Sequence, residues 1–167
     1  MPGNRKKYQS YHQLSPREYM YFPKGTLDMG KPGQFSRLEL RHLASAIFVL
    51  TIGFSFALTQ SSVLMMFLFQ QSFDLGRLGI GLLLSFFGVL FAFVVHELSH
   101  KFMAQKHGLW SEFRMYPKGL LTSLFLSITT GFVLAAPGAV MFRGEPRPFE
   151  QSRIAIAGPS ANIILAS

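Results

Sequence analysis

The sequence has no cysteine, which excludes disulfide bonds, thiolate metal ligands and thiol nucleophiles. Acidic residues are also scarce, with 8 Asp and Glu against 16 Lys and Arg. Charged residues of both signs make up only 14% of the chain, roughly half the share of a typical soluble domain. Any metal site in this protein must therefore be built from histidine and a small number of carboxylates.

Charge is missing altogether from three long runs, which cover residues 43–73, 78–95 and 119–142. Each run approaches or exceeds the roughly 18 to 20 residues that a helix needs to cross a bilayer. Half of all residues are hydrophobic, and 18 of them are Phe. The composition therefore predicts an all-α polytopic membrane protein.

The uncharged runs divide into predicted crossings and connections. The first crossing covers about 43–58, and the apolar piece 63–69 that follows it is too short to cross. Residues 70–79 are predicted to form a loop, and the second crossing covers 80–108. The apolar run 154–167 begins a further crossing that the sequence does not finish.

The third uncharged run, 119–142, has two interpretations. As one straight helix it would place the arginines that follow it outside the cell, against the positive-inside rule. As a re-entrant hairpin or strand pair, turning at 129–131 or at 135–138, it returns those arginines to the cytoplasm. The charge distribution favours the hairpin, which must pack against protein or line a cavity because its backbone is not helical throughout.

The net charge of +8 is concentrated at the N-terminus, where eight of the 16 Lys and Arg precede Leu43. The other basic residues flank the apolar runs, which is typical of a topology signal rather than of a nucleic-acid site. We therefore expect a basic cytoplasmic arm over residues 1–37, a transmembrane domain over 38–167, and no nucleic-acid partner. We expect a membrane protein, with the plasma membrane as the favoured location. The chain is expected to cross the membrane several times, with its N-terminus in the cytoplasm.

The motif 96-HELSH-100 lies near the end of the second predicted crossing. On a helix, His96 and His100 are four residues apart and share one face, so both imidazoles can bind one Zn²⁺. Glu97 follows the first histidine, where a carboxylate can act as the general base and acid of peptide hydrolysis. Polar side chains at membrane depth cost several kcal/mol unless they pair or bind a cation. The motif thus predicts a catalytic zinc site.

A second motif, 157-AGPSAN-162, lies in the last apolar run. Gly158 and Pro159 would loosen the helix there, and Asn162 would place a buried amide that needs hydrogen-bond partners. Two interpretations stay open. Either this is a kinked packing helix with one satisfied amide, or Asn162 faces the metal site and holds the substrate backbone.

Together, 96-HELSH-100 and 158-GPSAN-162 resemble the ordered motifs of the site-2 protease family of intramembrane zinc metalloproteases. The resemblance implies that His96 and His100 are zinc ligands, that Glu97 is the general base and that Asn162 lines the substrate cleft. It also implies transmembrane proteins as substrates, and short membrane-embedded strands between the two motifs that pair with an extended substrate.

The chain departs from that family pattern because it has no N-P-x-x-D-G segment to supply a third, acidic ligand. Glu112 is expected in a soluble-looking turn with Trp110 and Arg114, and Asp74 toward the opposite side, so neither replaces that ligand. We therefore expect an N-terminal fragment whose protease core begins near residue 80 and is cut at 167, with weak activity of its own. The alternatives are a non-catalytic protein that binds membrane helices and a metal-transport fragment.

Overall fold

The computed structural model describes residues 33–70, 72–143 and 146–167. Nearly all of the predicted basic arm, residues 1–37, lies outside this described part. The described chain is mostly helical, with one two-stranded sheet. Its elements, in chain order, are α1 (Arg37–Leu58), α2 (Val63–Phe69), α3 (Leu75–Val89), a π-helical turn (Leu90–Val94), α4 (Val95–Lys106), β1 (Trp110–Met115), α5 (Pro117–Thr130), β2 (Gly138–Arg143) and α6 (Pro148–Ala166).

Helix α1 begins where its capping chemistry predicts. The Ser36 hydroxyl accepts a hydrogen bond from the Glu39 backbone N–H at 3.0 Å, which satisfies one of the free donors of the first turn. The Glu39 carboxylate, however, is buried and bonds to Lys101 of α4 instead of returning to its own helix end. The start of α1 is therefore capped by Ser36 and linked to α4 by Glu39.

Helix α3, the π-helical turn and α4 form one continuous helix from Leu75 to Lys106. The Asp74 carboxylate caps it by accepting from the Gly76 and Arg77 backbone N–H groups at 2.8 and 3.1 Å. The prediction of a loop over 70–79 is therefore wrong beyond Asp74, because an N-cap carboxylate starts the helix earlier than hydropathy suggests. Gly108, with φ +77°, follows the helix end.

Two helical segments, Arg37–Phe69 and Leu75–Lys106, are long and apolar enough to cross a membrane. They run antiparallel, because Arg77 donates to the Thr59 carbonyl at one end while Lys101 bonds to Glu39 at the other. Many of their large apolar side chains point outward instead of into the core. The most exposed among them include Phe48, Phe67, Leu75, Ile80 and Leu83.

The third uncharged run folds back on itself, so the straight-helix interpretation is wrong. Helix α5 ends at Gly131, whose φ of +81° suits a residue without a side chain, and the chain returns without regular structure to β2. The Tyr116 N–H donates to the Pro137 carbonyl at 2.9 Å, so the run ends beside its own beginning. One strand, β2, comes from this run, and its antiparallel partner is β1, which precedes the run.

Glu112 lies in β1 and not in a soluble-looking turn, so that prediction is wrong. The strand is buried along nearly its whole length between helices and β2, and Glu112 is paired with Arg114 on the same face. Burial raises the pKa of the Glu112 carboxyl, and the Arg114 guanidinium partly opposes that shift. Hydropathy alone missed this strand because its two charged residues neutralise each other inside the protein.

A buried ion pair connects α1, α4 and β1. The Lys101 ammonium lies 2.5 Å from the Glu39 carboxylate, and both side chains are almost completely buried. Lys101 also donates to the Gln34 carbonyl at 2.9 Å, and Glu39 accepts the Phe113 N–H of β1 at 3.0 Å. Because Lys101 directly follows His100, this network holds the sheet beside the histidine motif.

Replacing Lys101 by Met should lower the free energy of unfolding by about 3 to 5 kcal/mol, because it leaves the Glu39 carboxylate buried without its cation. Denaturant titration of the protein in detergent micelles measures this change. The double variant Glu39→Gln/Lys101→Met should recover part of the loss, since it removes both charges. Exposed Lys106→Met, on the same helix, is the control, and equal effects of Lys101→Met and Lys106→Met would contradict the prediction.

Candidate metal centre

The histidine motif occupies the first turns of α4, directly after the π-helical turn Leu90–Val94. A π-helical turn inserts one extra residue, which rotates the helix face that follows by about 100°. The preceding helix, α3, presents apolar side chains to its surroundings, whereas α4 turns His96 and Glu97 toward the protein interior. The π-helical turn thus lets one continuous helix present an apolar face first and a polar site afterwards.

The two histidine side chains converge. Their Nε2 atoms lie 3.0 Å apart, and their ring centroids are 4.7 Å apart. Two nitrogens bound to one tetrahedral Zn²⁺ at 2.0 to 2.1 Å are about 3.3 Å apart. The spacing of His96 and His100 therefore fits a shared metal ion after a movement of a few tenths of an ångström.

Residues of helix α6 contact both imidazoles at their Nδ1 atoms. His100 Nδ1 lies 2.6 Å from the Ile154 carbonyl oxygen, and His96 Nδ1 lies 3.2 Å from Asn162 Nδ2. Each ring is therefore bonded through Nδ1, and this leaves the two Nε2 atoms facing each other. Asn162 therefore lies beside the histidine pair, and its role in holding the substrate backbone stays a prediction.

Gly158 brings the α6 backbone close to the Nε2 atoms of both histidines. A Cβ atom added there would lie 2.6 Å from His96 Nε2 and closer still to His100 Nε2. These separations resemble metal–nitrogen bond lengths, so a side chain at Gly158 would occupy the space that a shared ion needs. From its place beside Pro159, Gly158 was expected only to loosen the helix. The missed signal was its spacing of four residues from Asn162, which puts both on one face of α6.

Glu97 lies between the histidines and the sheet. Its side chain is buried and accepts a hydrogen bond from the Val140 backbone N–H of β2. A cavity of about 270 Å³ lies at this position, lined among others by Glu97, His100, Gly138 and Val140. The carboxylate therefore adjoins both the candidate metal ligands and a strand edge.

A second, larger cavity of about 490 Å³ extends from the site along α1 and α3. Its polar lining residues are Ser85, His96, Glu97 and Asn162, and Ala135, Pro137 and Gly138 line another part of it. The remaining lining is mainly apolar, with Leu50, Phe54, Leu58, Leu84, Val89 and Phe93 among its residues. The site thus opens into an apolar space large enough for several side chains of a ligand.

Within the described residues, no group of three or more His, Asp or Glu is placed to hold a metal ion. Glu112 is occupied by Arg114, and Asp74 caps the far end of α3. His107 packs edge-on against the Phe149 ring at 6.3 Å, away from the histidine pair. The described part of the chain therefore offers two imidazole ligands and a neighbouring carboxylate.

Comparison with known proteins adds one finding. The chain is 34% identical over 134 residues to a protein of Methanocaldococcus jannaschii named "Putative zinc metalloprotease". The aligned part is 80% of this chain and 61% of that relative, so the chain spans less than two thirds of the relative's length. An aligned segment of 134 residues in a chain of 167 includes 96-HELSH-100 wherever it begins.

Two further comparisons found nothing. No protein-family profile matches the chain. No solved structure matches it either.

Gly158→Ala should abolish binding of Co²⁺ and Zn²⁺, because the new methyl group would occupy the space between the two Nε2 atoms. Titration of the purified protein in detergent against a chromophoric chelator measures the affinity. Gly79→Ala is a matched control, since a Cβ atom at Gly79 meets nothing within 4 Å. Unchanged metal affinity in Gly158→Ala would show that the ion does not lie between these rings.

Proposed function

We propose that this chain is part of the catalytic core of a zinc-dependent intramembrane endopeptidase similar to the site-2 proteases. The observation that carries the proposal is the convergence of the His96 and His100 Nε2 atoms beside Glu97, on a helix long and apolar enough to cross a membrane. The name of the Methanocaldococcus jannaschii relative agrees with zinc and with proteolysis.

In this proposal, His96 and His100 hold the zinc ion, and a third protein ligand comes from outside the described residues. When bound, zinc lowers the pKa of a coordinated water and polarises the carbonyl of the scissile peptide. Glu97 takes a proton from the attacking water and passes it to the leaving amine. Its hydrogen bond to Val140 orients the carboxylate toward the strand edge where the substrate would lie.

The open edge of β2 is suited to an extended substrate. Glu39 accepts the Phe113 N–H, so Phe113 and its partner Val140 form a non-hydrogen-bonded pair of the ladder. Because the pattern alternates, the N–H groups of Gly138, Val140 and Phe142 point away from β1. A substrate segment that pairs with the Gly138 and Phe142 N–H groups would be unwound and would pass beside His100 and Glu97, which already accepts the Val140 N–H.

The apolar lining of the larger cavity favours a hydrophobic substrate. Its lining from α1 and α3 suits the hydrophobic side chains of a transmembrane segment, and Asn162 lies at the point where this lining meets the histidines. We propose transmembrane proteins as substrates, cleaved within or near their membrane-spanning segments, with Asn162 in the substrate cleft. Peptide hydrolysis at this depth requires a polar group to hold the unwound backbone.

The membrane arrangement is part of the same proposal. The segments Arg37–Phe69 and Leu75–Lys106 would cross the bilayer in opposite directions, and the hairpin of α5 and β2 would enter it without crossing. The basic residues before Leu43 favour a cytoplasmic N-terminus. The histidine motif then lies toward the cytoplasmic end of its helix, in a multi-pass protein of the plasma membrane.

Glu97→Gln should reduce cleavage of a quenched-fluorescence single-span peptide in proteoliposomes by a factor of about 10² to 10⁴, without loss of zinc. His100→Ala should lose both zinc and activity, whereas His107→Ala, at the C-cap of the same helix, should lose neither. Elemental analysis and the cleavage rate of the full-length protein measure these effects. Zinc content in His100→Ala equal to that of the parent would overturn the ligand assignment.

Phe142→Pro should raise KM at least tenfold, because it removes an N–H group from the outer edge of β2 without interrupting the β1–β2 ladder. Phe142→Ala is the matched control, since it loses the same side-chain packing against Ala104 and Ile154 but keeps the N–H group. Zinc affinity should be equal in both variants. Equal KM values for the two variants would remove β2 as the substrate-pairing strand.

A further inference from the structure

Asn162 has one bonded and one unbonded end. Its Nδ2 lies 3.2 Å from His96 Nδ1, whereas its Oδ1 is buried and has no hydrogen-bond partner among the described residues. A buried amide oxygen without a partner costs about 1 to 3 kcal/mol. Asn162 Oδ1 is therefore available to accept a hydrogen bond from a neighbouring donor.

The tautomers of both histidines follow from one carbonyl. The Ile154 oxygen only accepts, so His100 carries its proton on Nδ1 and presents a lone pair on Nε2. Across the 3.0 Å contact, His96 Nε2 must then donate, and His96 Nδ1 must accept from Asn162 Nδ2. These contacts thus form a chain of donors that runs from Asn162 through both rings to Ile154.

Metal binding requires a different proton arrangement. An ion between the rings needs a lone pair from each Nε2, so the proton of His96 must lie on Nδ1. That proton would then face Asn162 Nδ2, which is also a donor. Rotation of the amide by half a turn places Oδ1 there instead, in nearly the same volume, and converts the clash into a hydrogen bond.

We propose that Asn162 is a positioning residue for the metal centre, whose amide rotates to select the metal-binding tautomer of His96. Ligating histidines commonly donate their second N–H to an oxygen, and loss of that oxygen typically weakens metal binding by 10- to 100-fold. For His100 the oxygen is the Ile154 carbonyl, and for His96 it is Asn162 Oδ1. The inference rests on the proposed function, because it takes both histidines as ligands.

The test compares Asn162→Leu and Asn162→Asp in the full-length protein in detergent, with the Kd for Zn²⁺ measured by chelator competition. Asn162→Leu has no acceptor and should weaken binding by 10- to 100-fold. Asn162→Asp keeps an acceptor oxygen and should bind zinc at least as tightly as the parent. Ser160→Ala, an exposed position of α6, is the control and should leave Kd unchanged.

The outcomes separate this inference from a role of Asn162 in substrate binding alone. If the amide only donates to the substrate, Asn162→Leu and Asn162→Asp will both keep the parent Kd for zinc and both raise KM, and the inference fails. If His96→Ala and His100→Ala lose zinc while Asn162→Leu keeps it, only the inference fails. If the two histidine variants keep zinc, the proposed function itself fails.

Discussion

The close approach of α6 to α4 at Gly158 is the constraint on which the rest of the site depends. It brings a backbone carbonyl, a glycine and an amide side chain against two imidazoles, at separations of 2.6 to 3.2 Å for the two hydrogen bonds. Isolated histidines on a helix sample several rotamers, and ordering them costs entropy. Here that ordering comes from the helix pair, so both Nε2 atoms already point to one place.

The sheet is positioned by a different kind of interaction. Glu39 and Lys101 bury a full ion pair, which costs desolvation and is therefore weak evidence for net stability. Its contribution is geometric, since each charge has hydrogen-bond partners in other segments and only one arrangement satisfies them all. As a result β1 is held next to the residue that follows His100, and the open edge of β2 falls beside Glu97.

Three short structural features create a polar site in an otherwise hydrophobic chain. The π-helical turn changes the face of the long helix just before His96, Gly131 lets the third run turn back, and the pairing of β1 with β2 leaves one edge unpaired within the described chain. Each of these features acts over only a few residues. Together they place polar groups next to a cavity that is otherwise lined by aliphatic and aromatic side chains.

The sequence by itself determined the long apolar helices and the pairing of His96 with His100, because these depend on composition and on spacing along one helix. It also favoured a folded-back third run through the charges that follow it. Only the tertiary structure decided that Glu112 is a buried strand residue, that Gly158 borders the histidines and that Asn162 bonds to His96. The contacts of Gly158 and Asn162 with the histidines join residues more than fifty positions apart, and local periodicity carries no information about which faces of two distant segments will meet.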